Sequence, residues 1–119
     1  MSSALPNRLH DDRPWGWFEQ FTHNECSTVK VLHIDPGEEL SLQYHHHRSE
    51  FWYVVAGTGT ITIGEESVEA AKGAEFFIPT GTQHRAAGAD PDGITIVEIA
   101  LGDFDEGDIV RTQDKYGRT

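Results

Sequence analysis

Ser41-Leu-Gln-Tyr-His-His-His-Arg-Ser-Glu50 decides how this chain folds. Alternation along Leu40–His45 sends Ser41, Gln43 and His45 to one face of a strand and Leu40, Leu42 and Tyr44 to the other. A polar face turned into a closed barrel is expected where the barrel binds something. The apolar outer face then needs a cover, from the Trp15–Phe21 segment or from a second subunit, so a homodimer is expected.

Outward from this stretch, the remaining apolar runs have the same character. Val29–Ile34, Phe51–Val55, Thr60–Ile63, Phe76–Ile78 and Ile94–Leu101 are rich in β-branched and aromatic residues, and Ser67–Ala70 reads as a further strand rather than an isolated helix. Asp35-Pro36-Gly37, Gly57-Thr58-Gly59, Gly64-Glu65-Glu66, Lys72-Gly73, Pro79-Thr80-Gly81 and Asp90-Pro91-Asp92-Gly93 divide them. Turn signals at this regular spacing indicate an all-β sandwich or barrel. Residues 1–13, polar and with two adjacent aspartates, read as a flexible lead-in, and 14–119 as a single domain.

Composition narrows the chemistry. Twenty acidic against nine basic side chains give a formal charge of −11, which repels nucleic acid and anionic lipid. The single cysteine, Cys26, permits neither an internal disulfide nor a thiolate cluster, so a metal would have to use histidine and carboxylate. No charged and apolar leader opens the sequence and no long apolar run interrupts it, which makes the cytoplasm the expected location.

Spacing supplies the ligands. From Gly37, five residues intervene before Gln43, one before His45, four before Glu50 and six before Gly57. A second set follows, with five residues between Gly73 and Pro79, one more before Gly81 and two before His84. Gln43 and His45 lie two apart on a strand, a turn at Arg48-Ser49 brings Glu50 onto the next strand, and a later strand adds His84. Four convergent ligands leave coordination positions open on a divalent cation, unlike a structural zinc site closed by protein. His46 falls on the opposite parity from His45.

These two patterns resemble the paired motifs of the cupin superfamily, whose fold is a double-stranded β-helix, or jelly-roll barrel. Gln43 stands where the first motif usually has histidine, and Gly88 where the second often has asparagine, a change expected to affect only a turn. The resemblance is closer still to the C-terminal cupin domain of type II mannose-6-phosphate isomerases joined to mannose-1-phosphate guanylyltransferases. Leu42-Gln-Tyr-His-His-His-Arg-Ser-Glu50, Arg13-Pro-Trp-Gly-Trp17 and Asp108-Ile-Val-Arg-Thr-Gln-Asp-Lys-Tyr-Gly-Arg118 all look like segments of that family. Phe51 departs from it, since histidine often follows the glutamate. No glycine-rich nucleotide-binding segment occurs in the 119 residues, so nucleotidyl transfer is not expected.

The resemblance implies a stand-alone aldose–ketose isomerase, interconverting mannose 6-phosphate and fructose 6-phosphate by proton transfer through an enediol. One divalent ion would stabilise the developing oxyanion, with zinc first and manganese, cobalt, iron or nickel also suited to a mixed oxygen and nitrogen set. Gln43, His45, Glu50 and His84 would hold it. Arg48 matches the family's functional arginine and would bind the sugar phosphate or stabilise charge, with Arg111 and Arg118 as further phosphate residues. His47, on the parity of His45, and Glu98, a carboxylate within an apolar strand and in need of a partner such as Lys30, are the two general-base candidates. The competing readings are another cupin enzyme, an epimerase or oxygenase, and a non-catalytic metal- or sugar-binding cupin.

Overall fold

The computed structural model describes residues 5–105 and 107–118, and no helix occurs among them. Ten strands form in order: β1 Leu9–Arg13, β2 Gly16–Gln20, β3 Ser27–Ile34, β4 Leu42–Tyr44, β5 Arg48–Ile63, β6 Glu66–Ala71, β7 Glu75–Ile78, β8 His84–Gly88, β9 Ile94–Gly102 and β10 Val110–Gln113. Strands β1 and β2 make a separate hairpin. The others form one antiparallel sheet in the order β10-β4-β8-β5-β9-β3, with β6 and β7 also paired to β5. The chain is an all-β double-stranded β-helix, the fold that the resemblance to the cupins implies and one form of the sandwich or barrel that the turn spacing indicates.

Strand β5 explains the barrel. Its first half pairs with β7 and β9, its second half with β6 and β8, so one 16-residue strand serves both sheets. The register shifts between Val54 and Ala56, and the inward parity changes with it: Glu50, Trp52 and Val54 are buried before the shift, Gly59 and Ile61 after it. A bulge bends a strand and re-aims its side chains in this way. Phe51–Val55 and Thr60–Ile63 are therefore two halves of one strand. The turn expected at Gly57-Thr58-Gly59 is a bend, where Gly57 has φ +76° and a Cβ would lie 2.0 Å from the Gly93 carbonyl oxygen.

The core fills the closed end of the barrel. Ile34, Trp52, Val54, Ile61, Ala70, Ile78, Ala86, Ile94 and Ile96 form one buried cluster. Burying each large aliphatic side chain contributes about 1.5–3 kcal/mol relative to exposure. A smaller cluster of Leu5, Phe51 and Ile99 lies outside the barrel wall, with Phe21 packed against it. The Trp15–Phe21 cover thus falls on β5, where Phe21 packs at a tilt against Phe51 and edge-on to Tyr53, and not on β4.

Two local expectations need correction. Within the lead-in assigned to 1–13, Leu9–Arg13 pairs residue for residue with β2 and Leu5 is buried, because the hairpin folds back onto an apolar patch; residues 1–4 lie outside the described residues. Gly88 sits in β8 rather than in a turn, and a Cβ there would stand 2.4 Å from the carbonyl oxygens of both Ile34 and Asp35. Glycine lets the end of β3 cross β8 at backbone distance.

Candidate metal centre

At the open end of the barrel, β5, β8 and the loop after β4 bring three side chains together. His45, Glu50 and His84 are all buried, and their ligand atoms lie within 4.8 Å of one another. His45 Nε2 is 3.4 Å from Glu50 Oε2, and His84 Nε2 is 3.3 Å from Glu50 Oε1. Glu50 Oε1 is nevertheless a buried oxygen without a hydrogen bond among the described residues. A buried carboxylate oxygen left unsatisfied is costly unless something else occupies its lone pairs.

Both imidazoles are fixed in the tautomer that a metal requires. His45 Nδ1 donates to the Asp108 carbonyl at 2.6 Å, and His84 Nδ1 donates to the Thr82 carbonyl at 2.9 Å. A carbonyl can only accept, so each Nδ1 carries a proton, which leaves Nε2, the nitrogen facing Glu50, as the one available to a metal. Burial lowers the pKa of His45, with the nearby charges of Arg48 and His84 acting in the same direction against the Asp108 carbonyl and Glu50. Glu50 feels burial pushing it up, but His84, His45 and Arg48 outweigh this and hold it well below the usual carboxylate range. His45, Glu50 and His84 form a buried His–Glu–His group that could bind a divalent metal.

The other residues singled out from the sequence divide. Gln43 pairs with His84 across β4 and β8, lines the same cavity, and donates its amide to Ser41 Oγ at 3.0 Å. Glu98 also faces inward, flanked across the strands by Lys30 and Trp52, and accepts from Trp52 Nε1 at 3.1 Å. Burial and the charge of Glu50 push its pKa up to about 7 against the Trp52 hydrogen bond. His47 does not join them. Strand β4 ends at Tyr44; His45 still turns inward, but the alternation does not continue to His47, which is exposed.

Arg48 is buried but not open to a ligand. Its Nε donates to Glu50 Oε2 at 3.1 Å and its Nη1 to the Asp105 carbonyl at 3.1 Å, and its guanidinium stands 4.3 Å from the Phe104 ring centre. Arg118 lies elsewhere, on Asp114 at 2.8 Å and half-exposed. Arg111 pairs with Gln43 across β10 and β4 without lining the cavity. Sequence reasoning missed Asp108 as a brace: its carboxylate accepts from the His46 and His47 amides at 2.9 Å each, which sets the 45–47 loop. Its place in the C-terminal segment Asp108–Arg118 was the available signal.

The cavity measures about 210 Å³ and is walled by Lys30, Leu32, Leu40, Trp52 and Ile109 besides the ligand cluster. Hollows of about 430 and 470 Å³ lie on the outside of the molecule, away from the His–Glu–His group. We assign the site to the smaller cavity because the buried, unsatisfied oxygen is there.

With this geometry in place, likeness to known proteins can be read. Residues 4–114 match the family described as mannose-6-phosphate isomerase C-terminal. The chain is 40% identical over 108 residues to the xanthan biosynthesis protein XanB of Xanthomonas campestris pv. campestris, covering 90% of this chain and 23% of that protein. It is 36% identical over 115 residues to the mannose-1-phosphate guanylyltransferase of Escherichia coli K12, covering 94% and 24%. The chain thus spans about a quarter of the length of these relatives. A double-stranded β-helix protein from Klebsiella pneumoniae superposes with a TM-score of 0.65 at 22% identity, over 77% of this chain and 78% of that one, which bears on the fold alone. These names correct the expectation of a mannose-6-phosphate isomerase: the relatives carry the names of guanylyl transfer and polysaccharide synthesis, not of sugar isomerisation.

Proposed function

The chain belongs to the mannose-6-phosphate isomerase C-terminal family, and from that membership we propose that it is a metal-binding cupin domain that holds a sugar phosphate without isomerising it. Its relatives' names point to the setting, the making of activated mannose for polysaccharides. The observation that carries the proposal is Glu50 Oε1, a buried acceptor without a hydrogen bond among the described residues, facing two imidazoles whose Nδ1 atoms are taken by carbonyls; Arg48 Nη2 lies 3.4 Å from His45 Nε2, a contact that a bound ion would replace.

Gln43, His45, Glu50 and His84 hold the ion, with Gln43 as the neutral oxygen donor once its amide nitrogen is spent on Ser41. This set suits zinc, manganese, cobalt, iron or nickel. When bound, the metal supplies a Lewis acid for a ligand oxygen. Arg48 orients Glu50, while the Asp108 and Thr82 carbonyls orient the histidines. Leu32, Leu40, Trp52 and Ile109 keep water from the wall of the cavity, and Glu98 holds a proton there near neutrality.

Charge favours an anion. A divalent ion together with Lys30 and Arg48 outweighs the carboxylates Glu50 and Glu98 locally, whether or not Glu98 is protonated, in a chain whose net charge is −11. A cavity of about 210 Å³ falls below the 300–1,000 Å³ usual for a whole drug-sized ligand, so it takes one end of the sugar phosphate. This too favours binding over a reaction that needs C1, C2 and the phosphate enclosed together.

Calorimetric titration tests the reading. The chelator-treated protein should bind one equivalent of manganese or zinc, and mannose 1-phosphate should then bind the loaded protein and not the metal-free one. Failure to bind either metal would end the proposal; metal binding with sugar-phosphate affinity unchanged by the metal would remove its ligand half.

A further inference from the structure

Lys30 and Arg48 reach the cavity from different strands, β3 and β5, and both meet one aromatic ring. The ring centre of Phe104 is 4.4 Å from Lys30 Nζ and 4.3 Å from Arg48 Cζ. Two like charges can share a ring because its face carries negative potential, which attracts a cation at this distance. The next residue adds a second contact of the same kind, since the Asp105 carbonyl accepts from Arg48 Nη1 at 3.1 Å. A neutral ring and a neutral oxygen thus stand where an anion would be held.

These groups are weak substitutes for a negative charge. Asp105 has a carboxylate, yet that carboxylate accepts from the Gly107 amide at 2.9 Å, and only the backbone oxygen goes to Arg48. Arg48 has its charge balanced by Glu50, at 3.1 Å, and its Nη2 lies 3.4 Å from His45 Nε2. A bound ion would draw on both of these ligands. Arg48, only 7% exposed, would then be left with the ring and the carbonyl, and a buried cation so poorly compensated favours an incoming anion. A guanidinium bonds a phosphoryl oxygen more strongly than it bonds either neutral group.

Position and size agree with this. Phe104 lies two residues beyond the end of β9, half-buried between the exposed Asp103 and Asp105, and none of the three belongs to a strand, so turning the ring outward breaks no sheet pairing. The cavity, at about 210 Å³, takes only one end of a sugar phosphate. A ligand too long for it extends along the two cations toward the place the ring now holds.

We propose that Phe104 and the Asp105 carbonyl occupy the anion position of the site, and that a ligand's phosphoryl group displaces the ring from Lys30 and Arg48 once the metal is bound. This rests on the reading of the site as one for a sugar phosphate, and adds the residue that limits its affinity. Calorimetric titration of inorganic phosphate into the manganese-loaded protein tests it. Phe104→Ala and the milder Phe104→Leu should each bind phosphate roughly tenfold more tightly than wild type, because the anion no longer competes with the ring. In wild type labelled with 4-fluorophenylalanine, the fluorine resonance of residue 104, identified by its absence from Phe104→Leu, should move toward that of a solvent-exposed ring as phosphate saturates the site. Equal or weaker binding by the variants, or a resonance unmoved at saturation, overturns the proposal and leaves the anion reading standing. Phosphate binding by none of the three proteins removes the anion reading, and the displacement of Phe104 falls with it.

Discussion

His45 and Asp108 are 63 residues apart, yet the imidazole Nδ1 of one donates to the backbone carbonyl of the other at 2.6 Å. The C-terminal segment thereby sets the tautomer of a residue at the centre of the barrel mouth. Asp108 adds two side-chain contacts, accepting from the His46 and His47 amides at 2.9 Å, and these amides hold its carboxyl below its ordinary pKa. Asp108→Ala keeps the carbonyl but frees the loop. Metal affinity should fall roughly tenfold, the lower end of the range for groups that orient ligands. Competition with a chromophoric chelator measures it, and an unchanged affinity would make the segment a passive cover.

His84→Ala removes a ligand outright. A ligand that binds only the folded state at 100 times its Kd stabilises by about 2.7 kcal/mol, so metal should raise the Tm of the wild type visibly. In the variant that rise should vanish while the metal-free Tm changes less. Scanning calorimetry with and without zinc separates the two. An equal rise in both proteins would exclude His84 from the ligand set.

Fold and ligand cluster were legible to different depths. Strands β3, β6, β7 and β9 match the sequence reading to within a few residues, because β-branched runs bounded by glycine and proline have few alternatives. Strand β5 was not legible as one strand, since Gly57 and Gly59 signal a turn and only the close approach of Gly93 and Ala87 makes them a bend. The spacing that resembles the paired cupin motifs picked out His45, Glu50 and His84, and strand parity separated His45 from His46. Neither could find the state of Arg48, whose donors are taken up by Glu50 and the Asp105 carbonyl, a contact 57 residues away that no local pattern encodes.

Arg48→Ala should expose that difference. It leaves Glu50 Oε2 without its guanidinium in a place where both side chains are almost wholly buried. Breaking one partner of such a pair costs on the order of 3–5 kcal/mol, because a desolvated charge remains behind. The metal-free protein should lose stability by an amount of that order in urea unfolding, and metal should restore part of it by neutralising Glu50. A loss below about 1 kcal/mol, the range of surface pairs, would mean that Arg48 is solvated in solution.

Glu98 makes a prediction whose sign is opposite to that of an ion-paired acid such as Glu50. Its folded pKa of about 7 lies above the 4.5 of an unperturbed glutamate, so the folded state keeps a proton that the unfolded state has released. Below pH 4.5 both states are protonated and Glu98 contributes nothing. Between 4.5 and 7 the unfolded state binds fewer protons, stability falls as pH rises, and above 7 the full penalty of about 3 kcal/mol is present. Glutamine mimics the protonated form and can still accept from Trp52 Nε1, so Glu98→Gln escapes that penalty. In chelator-treated samples the variant and wild type should unfold at similar urea concentrations at pH 4, and the variant should be the more stable at pH 8. Metal should narrow the gap, since neutralising Glu50 removes one of the causes that raises Glu98. A gap absent at pH 8 would mean that Glu98 is ionised in the folded protein at neutral pH without penalty, and one already present at pH 4 would mean that the gain does not come from its titration.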